Sequence, residues 1–153
     1  MKTYIYMVRH GESPKTEGNE RTRGLTEQGK ADAERITALL RGENIDVFVS
    51  SPYRRALLTI QELARCSGKE LVEVEDLKER IFSKANNRMP DNELFPLLQK
   101  SYSDPSFALE GGESNSDCQN RSISVLKELL VYRMEFDHQQ FVEVQRMWRD
   151  RND

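Results

Sequence analysis

The sequence has few of the features that define several large classes of protein. Its two cysteines, Cys66 and Cys118, lie far apart without a CxxC or CxxH motif, so we expect no metal site and two reduced thiols. Lys and Arg total 23 against 26 Asp and Glu, without the clustered basic excess typical of nucleic-acid binders. No segment approaches the roughly 20 apolar residues of a membrane span, and the apolar run before Arg9 is too short for a signal peptide. We therefore expect a soluble, cytoplasmic protein that binds neither nucleic acid nor membrane.

Apolar runs alternate with amphipathic segments in the first half of the chain. Residues 4–8, 45–49 and 71–74 are short apolar runs typical of strands that are buried on both faces. Thr26 is a suitable cap for a helix through about residue 41, and Ser51 followed by Pro52 predicts the start of another. This order of strands and helices predicts an α/β fold with a parallel sheet.

The second half is less regular. Three prolines within residues 76–112 predict short helical pieces and loops. Ser114 or Ser116 would then cap a helix that ends near Leu130, with Ile123, Leu126 and Leu130 facing inward. In the tail, "VYRMEF" and "FVEVQRMW" alternate between polar and apolar residues, which predicts a C-terminal β-hairpin.

Charged side chains follow each of the three predicted strands. Because the carboxyl ends of parallel strands carry the ligand and catalytic groups of such sheets, we expect these side chains to form one site. They come as three pairs along the chain, namely Arg9 with His10, Arg54 with Arg55, and Glu79 with Arg80.

These residue types suit the chemistry of phosphate. Arginine carries a permanent charge and forked donors that match phosphate oxygens. A neutral imidazole can attack phosphorus and carry the phosphoryl group covalently, and a carboxylic acid can protonate the leaving oxygen. The sequence therefore predicts phosphoryl transfer through a phosphohistidine, with no metal and no cofactor.

Five motifs in register resemble the histidine phosphatase superfamily, which includes the phosphoglycerate mutases and many small phosphatases. The resemblance covers residues 1 to about 130 and implies a three-layer α/β/α sandwich with a mainly parallel sheet and a C-terminal hairpin at its edge. It implies that the substrate is a small phosphorylated molecule, with inorganic phosphate as a further ligand. The motifs are "VRHGES", "RGLTEQG", "SSPYRRALLT", "LKER" and "GGES".

The resemblance assigns roles by position. His10 matches the phosphorylated histidine, and Arg9 matches the phosphate-binding arginine beside it. Gly11 permits close approach of the backbone, and its carbonyl orients the His10 ring. Arg55 matches the second phosphate arginine.

The other motif positions match the family less closely. Glu79 matches the proton donor, and Arg80 is a weaker candidate for contact with the substrate. The chain reads "RHGESPKT" where the mutases resemble "RHGESxWN", and this favours the phosphatase branch. Arg21 and Arg23 are either part of the rim of the pocket or solvated loop charges.

One half of the family's catalytic site has no counterpart in the sequence. The family places a second histidine after a fourth strand, whereas here the helix that ends near Leu130 leads directly into the predicted hairpin. We therefore predict a single domain, residues 1–153, with an internal deletion near residue 130 that removes a central strand and its crossover helix, about 30 residues. His138, the only other histidine, lies in the predicted hairpin tip and is a poor substitute.

Three hypotheses follow for the function. The first is an active histidine phosphatase or phosphoryl transferase. The second is a catalytically impaired variant that keeps the anion pocket. The third is self-association, in which the sheet edge left open by the deletion pairs with a second copy to give a homodimer.

Overall fold

The computed structural model describes residues 3–15, 18–83 and 89–135, and the chain divides into two compact units between Lys78 and Glu79. No helix in these ranges is long and apolar enough to cross a membrane. The described elements are, in chain order, α1 (Glu27–Leu40), β1 (Phe48–Ser50), α2 (Arg54–Cys66), β2 (Leu71–Glu73), a single 3₁₀ turn (Glu75–Leu77), α3 (Asp91–Ser103) and α4 (Asn115–Glu135).

The first unit is built around a β-α-β crossover. Strands β1 and β2 pair in parallel, with Phe48 opposite Leu71 and Ser50 opposite Glu73. The buried core consists of Phe48, Leu63 and Ala64, against which apolar residues of α1 also pack. The α/β class and the parallel pairing predicted from the sequence are therefore confirmed, in a sheet reduced to two strands over the described residues.

Helix α1 begins where the sequence predicts. Thr26 has an extended backbone, and its side-chain oxygen accepts a hydrogen bond from the Gly29 N–H at 3.1 Å. This is the geometry of an N-cap, which satisfies one of the free donors of the first turn. The helix ends at Leu40, with Arg41 as its C-terminal cap.

The prediction of a buried strand at residues 4–8 is wrong. These residues belong to no strand in the described part of the chain, and the side chains of residues 4–7 are between 44% and 84% exposed. A strand requires a neighbour whose backbone completes its hydrogen bonds. Of the described strands, β1 and β2 pair with each other, and no third strand lies beside residues 4–8.

Helix α2 begins later than predicted. Its first residue is Arg54, and Tyr53 occupies the cap position without a side-chain hydrogen bond, so Ser51 and Pro52 precede the helix. The preceding loop supplies a partner instead, because the Arg54 N–H donates to the Arg21 carbonyl at 3.0 Å.

In the second unit, Ser114 caps helix α4 as one of the two predicted alternatives. Its hydroxyl accepts a hydrogen bond from the Asp117 N–H at 3.0 Å, while the Asp117 carboxylate accepts from the Ser114 N–H at 3.1 Å. This reciprocal pair is the capping-box arrangement. On this helix Val125 is buried and Ile123 is exposed, so the predicted inward face is wrong for Ile123.

Two further predictions for this unit are wrong. Helix α3 runs without interruption through Pro96, where separate short pieces were expected. Residues 131–135, predicted to begin the hairpin, belong to α4. Extending an existing helix adds a hydrogen bond per residue without a new nucleus, and this favours continuation of α4. The rest of the predicted hairpin, residues 136–153 with His138, lies outside the described residues.

Candidate active site

His10 is held by the residue that follows it. Its Nδ1 lies 2.7 Å from the Gly11 carbonyl oxygen, which is the contact expected from the sequence. A carbonyl can only accept a hydrogen bond, so Nδ1 carries the proton in this contact. In the neutral form of the ring, Nε2 then keeps its lone pair, and an imidazole held in this tautomer is able to act as a nucleophile at that atom.

Gly11 is in turn fixed by Thr59, a residue that the sequence motifs do not indicate. The Gly11 N–H donates to the Thr59 hydroxyl at 2.9 Å, and that hydroxyl donates to the Arg55 carbonyl at 2.7 Å. Thr59 is 2% exposed and lies one helical turn after Arg55. The sequence signal that could have identified Thr59 is the presence of a polar threonine among the apolar residues on the inner face of α2. The chain of hydrogen bonds connects the backbone next to His10 to the first turns of α2.

Close backbone contact between two glycines holds the His10 segment against α1. A Cβ atom on Gly11 would lie 2.6 Å from the Gly29 carbonyl oxygen. The next residue fastens the same junction, because the Glu12 carbonyl accepts the Thr26 N–H at 2.9 Å and its carboxylate accepts the Thr26 hydroxyl at 2.8 Å. Gly11 thus permits close approach of the segment to the backbone of α1, and Glu12 ties the segment to the start of that helix.

Arg55 lies inside the first unit, fully buried at its side chain. Its Nη1 donates to the Glu20 backbone carbonyl at 2.5 Å, and its Nη2 lies 3.2 Å from the Glu20 carboxylate. The guanidinium also lies over the Tyr53 ring, 4.7 Å from its centroid. The sequence pattern identified Arg55 but gave no indication of Glu20 as its partner.

The other arginines of the first unit differ in their surroundings. Arg9 is exposed, and within the described residues its guanidinium has no hydrogen-bond or ion-pair partner. Arg21 forms a forked ion pair with Glu75, at 2.6 and 3.2 Å, and this contact holds the pKa of the Glu75 carboxyl at about 2. Arg23 is largely buried, with its Nη2 2.7 Å from the Glu20 carboxylate. Arg21 is therefore engaged in a surface ion pair, whereas Arg23 shares a carboxylate with Arg55.

Glu79 and Arg80 are described with the second unit. Glu79 is exposed, and Arg80 is half-buried. The Arg80 Nη1 donates to the Asn115 side-chain oxygen at 2.5 Å, and its guanidinium lies over the Phe82 ring at 4.6 Å.

The "GGES" motif forms a turn and a helix cap, as predicted. A Cβ on Gly112 would collide with the Phe82 carbonyl, so only glycine fits there. The Glu113 carboxylate accepts hydrogen bonds from Arg121 at 2.9 and 2.8 Å and from the Ile81 N–H at 3.0 Å. The motif therefore fastens the segment after Arg80 to the start of α4.

The parallel pairing of β1 and β2 across α2 places the chain among the α/β proteins. The family model of the histidine phosphatase superfamily, branch 1, matches residues 5–135. The chain therefore belongs to the histidine phosphatase superfamily. No curated protein matches it.

Solved structures confirm the fold. A mycobacterial glucosyl-3-phosphoglycerate phosphatase in complex with VO3 is 24% identical with a TM-score of 0.70, over 83% of this chain and 64% of the other. The alpha-ribazole phosphatase from Shigella flexneri is 20% identical with a TM-score of 0.65, over 83% and 67%. A protein of Thermus thermophilus is 26% identical with a TM-score of 0.59, over 78% and 69%. The chain spans only 62% and 55% of two mycobacterial hydrolases and 61% of the native mycobacterial glucosyl-3-phosphoglycerate phosphatase, so it has a reduced version of the fold.

Proposed function

We propose that the chain hydrolyses a small phosphomonoester, or transfers its phosphoryl group, through a phosphohistidine on His10. The observation that carries this proposal is the contact between the His10 Nδ1 and the Gly11 carbonyl, since this tautomer of the neutral ring has its lone pair on Nε2. Membership of the superfamily supports the reaction class. The mycobacterial phosphatase has also been solved with inorganic phosphate, which supports small phosphate-like ligands for this chain.

In the first step, the His10 Nε2 attacks phosphorus while the bond to the leaving oxygen breaks. Glu79, assigned by the "LKER" motif, gives its proton to that oxygen. In the second step, water attacks the phosphohistidine, the P–N bond breaks, and the Glu79 carboxylate takes the proton from water. The free imidazole and the protonated acid are then restored, so no other reactant is consumed.

The arginines stabilise the charge on the phosphoryl oxygens in both steps. Arg9 is suited to this role because its exposed guanidinium has no other partner within the described residues. We assign Arg55 to the same oxygens by its motif position. Arg80 is proposed to touch the rest of the substrate. The mutase-type residues absent after "RHGES" favour hydrolysis over a mutase reaction.

A leaving-group experiment tests the role of Glu79. An acid is required when the leaving oxygen is basic, so Glu79→Gln should slow hydrolysis of an alkyl phosphate by about 10²–10⁴-fold. Hydrolysis of p-nitrophenyl phosphate, whose leaving group needs little protonation, should fall far less. The measurement is kcat/KM for both substrates, with Glu128→Gln, an exposed carboxylate of α4, as the matched control. An equal loss for both substrates would rule out Glu79 as the acid.

A second candidate function is self-association of a catalytically impaired chain that keeps the anion pocket. The observation that favours it is the row of exposed apolar side chains at Tyr4, Ile5, Tyr6 and Met7, since an unpaired apolar segment is a template for pairing with another chain. We propose a second copy of the chain as the occupant of this segment.

Sedimentation of two variants tests the self-association. Ile5→Lys should convert a dimer into a monomer or raise its dissociation constant at least about 10-fold. Leu39→Lys, which changes an equally apolar exposed residue on α1, should leave the dimer intact. A wild-type chain that remains monomeric at high micromolar concentration would contradict this candidate.

A further inference from the structure

The carboxylate of Glu20 lies between two arginines, and we call this arrangement the Glu20 bridge. Its Oε2 is 2.7 Å from the Arg23 Nη2 and 3.2 Å from the Arg55 Nη2. The backbone carbonyl of Glu20 accepts a further hydrogen bond from Arg55. A single residue therefore supplies both a carbonyl and a carboxylate to the arginine that the motif assigns to phosphate.

Arg23 has more hydrogen-bonding capacity than this carboxylate uses. The Arg23 Nε is buried, and among the described residues it has no acceptor. A buried donor without an acceptor is unfavourable, because it has lost its hydrogen bonds to water. Within the described ranges, Arg23 Nη1 makes only long contacts, at 3.5 Å to the Ser13 hydroxyl and 3.4 Å to the Pro14 carbonyl. An anion with more acceptor oxygens than a carboxylate would satisfy Arg23 more fully while still contacting Arg55.

The Glu20 side chain is the movable part of the arrangement. It is 56% exposed, whereas the Arg55 side chain that it covers is fully buried. The turn beneath it is fixed independently, because the Asn19 side-chain oxygen accepts hydrogen bonds from the backbone of Arg21 at 2.9 Å and of Thr22 at 3.0 Å. A change in the Glu20 side chain alone would therefore open the arginine pair and leave the turn in place.

We propose that Glu20 is an internal competitor for phosphate, which occupies the Arg23–Arg55 pair in the free protein and leaves when a phosphoryl group binds. The inference rests on the proposed function, in which Arg55 binds phosphate, and adds Arg23 to that site. A site that is open in only a fraction of molecules binds its ligand more weakly by that fraction. Glu20 thus keeps the affinity for free phosphate low and favours release of the product.

Two variants of Glu20 distinguish competition by its side chain for the two arginines from a general effect of its negative charge on phosphate binding. Glu20→Gln keeps the shape and removes the charge, while Glu20→Asp keeps the charge and shortens the side chain by one methylene. Both should bind inorganic phosphate about 5- to 20-fold more tightly than wild type, because neither can compete fully for both arginines. The control is Glu75→Gln, which removes a charge from the ion pair with Arg21 in the same unit and should change the affinity less than about 2-fold.

The measurement is calorimetric titration of the full chain with inorganic phosphate at constant ionic strength. In the same series, Glu20→Gln should lower the thermal midpoint without phosphate, because the buried guanidinium of Arg55 loses the negative charge of Glu20, and phosphate should restore the midpoint. If wild type binds phosphate and the Glu20 variants bind equally, the competitor role is wrong and the proposed function is untouched. Tighter binding by Glu20→Gln but not by Glu20→Asp would reduce the effect to charge and overturn the inference. If no variant binds phosphate, the arginine pair is not a phosphate site, and both this inference and the assigned role of Arg55 fail.

Discussion

Replacing His10 with alanine should abolish hydrolysis of an aryl phosphate, with a fall in kcat/KM of at least about 10³-fold. The variant has no group to attack phosphorus, and none of the arginines is a nucleophile. The loss should appear for every phosphomonoester tested, since the nucleophile is common to all of them. The measurement is the steady-state rate with p-nitrophenyl phosphate.

The chain offers a matched control because it contains two histidines. His138→Ala should retain the wild-type rate, since the motif and the Gly11 contact single out His10. An unchanged rate in His10→Ala would mean that the turnover comes from another group or from a contaminant. A loss in both variants would show that His138 supplies the missing second histidine after all.

Gly11→Ala should produce the second large effect, because the added methyl group has no room. It would lie 2.6 Å from the Gly29 carbonyl oxygen and 3.1 Å from the carbonyl carbon and Cα of the same residue, all of them backbone atoms. Relieving this clash requires the His10 segment to move away from α1. The same movement would break the hydrogen bond from the Gly11 N–H to the Thr59 hydroxyl. We expect the free energy of unfolding to fall by about 2–4 kcal/mol and the activity to fall with it.

Gly42→Ala is the control for this substitution. A Cβ at Gly42 would meet nothing within 4 Å, so the variant should be within about 0.5 kcal/mol of wild type. Chemical denaturation of both variants, with the aryl phosphatase rate measured alongside, separates a local clash from a general glycine effect. A Gly11→Ala chain as stable and as active as Gly42→Ala would contradict the tight junction between the His10 segment and α1.

The parts of the fold that the sequence predicted correctly depend on local signals. The Thr26 cap and the crossover from β1 to β2 through α2 follow from capping chemistry, apolar periodicity and the short spacing between elements. Residues 4–8 were misread because an apolar run shows that burial is favourable but does not show whether a neighbouring strand is present to pair with it. The prediction of a strand at residues 131–135 is wrong for a similar reason. The alternation of polar and apolar residues there is typical of a strand, but continuation of α4 outweighs it.

The residues of the candidate site divide in the same way, into those that local sequence signals predict and those that depend on contacts between distant parts of the chain. The role of the Gly11 carbonyl at His10 was predictable because the two residues are adjacent and belong to one motif. Thr59 and Glu20 were not predicted, because each contacts its partner across a distance in sequence, 48 residues from Gly11 to Thr59 and 35 from Glu20 to Arg55. Sequence patterns of one chain identify arginines that suit phosphate, but they do not reveal a carboxylate that competes for them. The internal deletion near residue 130 stays a prediction.

The measurement that tests the central claim most directly is the mass of the protein during turnover. The chain would be mixed with an aryl phosphate, quenched within the first turnovers, and analysed by intact mass and by peptide mapping. The proposed mechanism predicts one added phosphoryl group, located on His10, which disappears as substrate is exhausted. A chain that releases phosphate while His10 stays unmodified, or that carries the phosphoryl group on another residue, would contradict it.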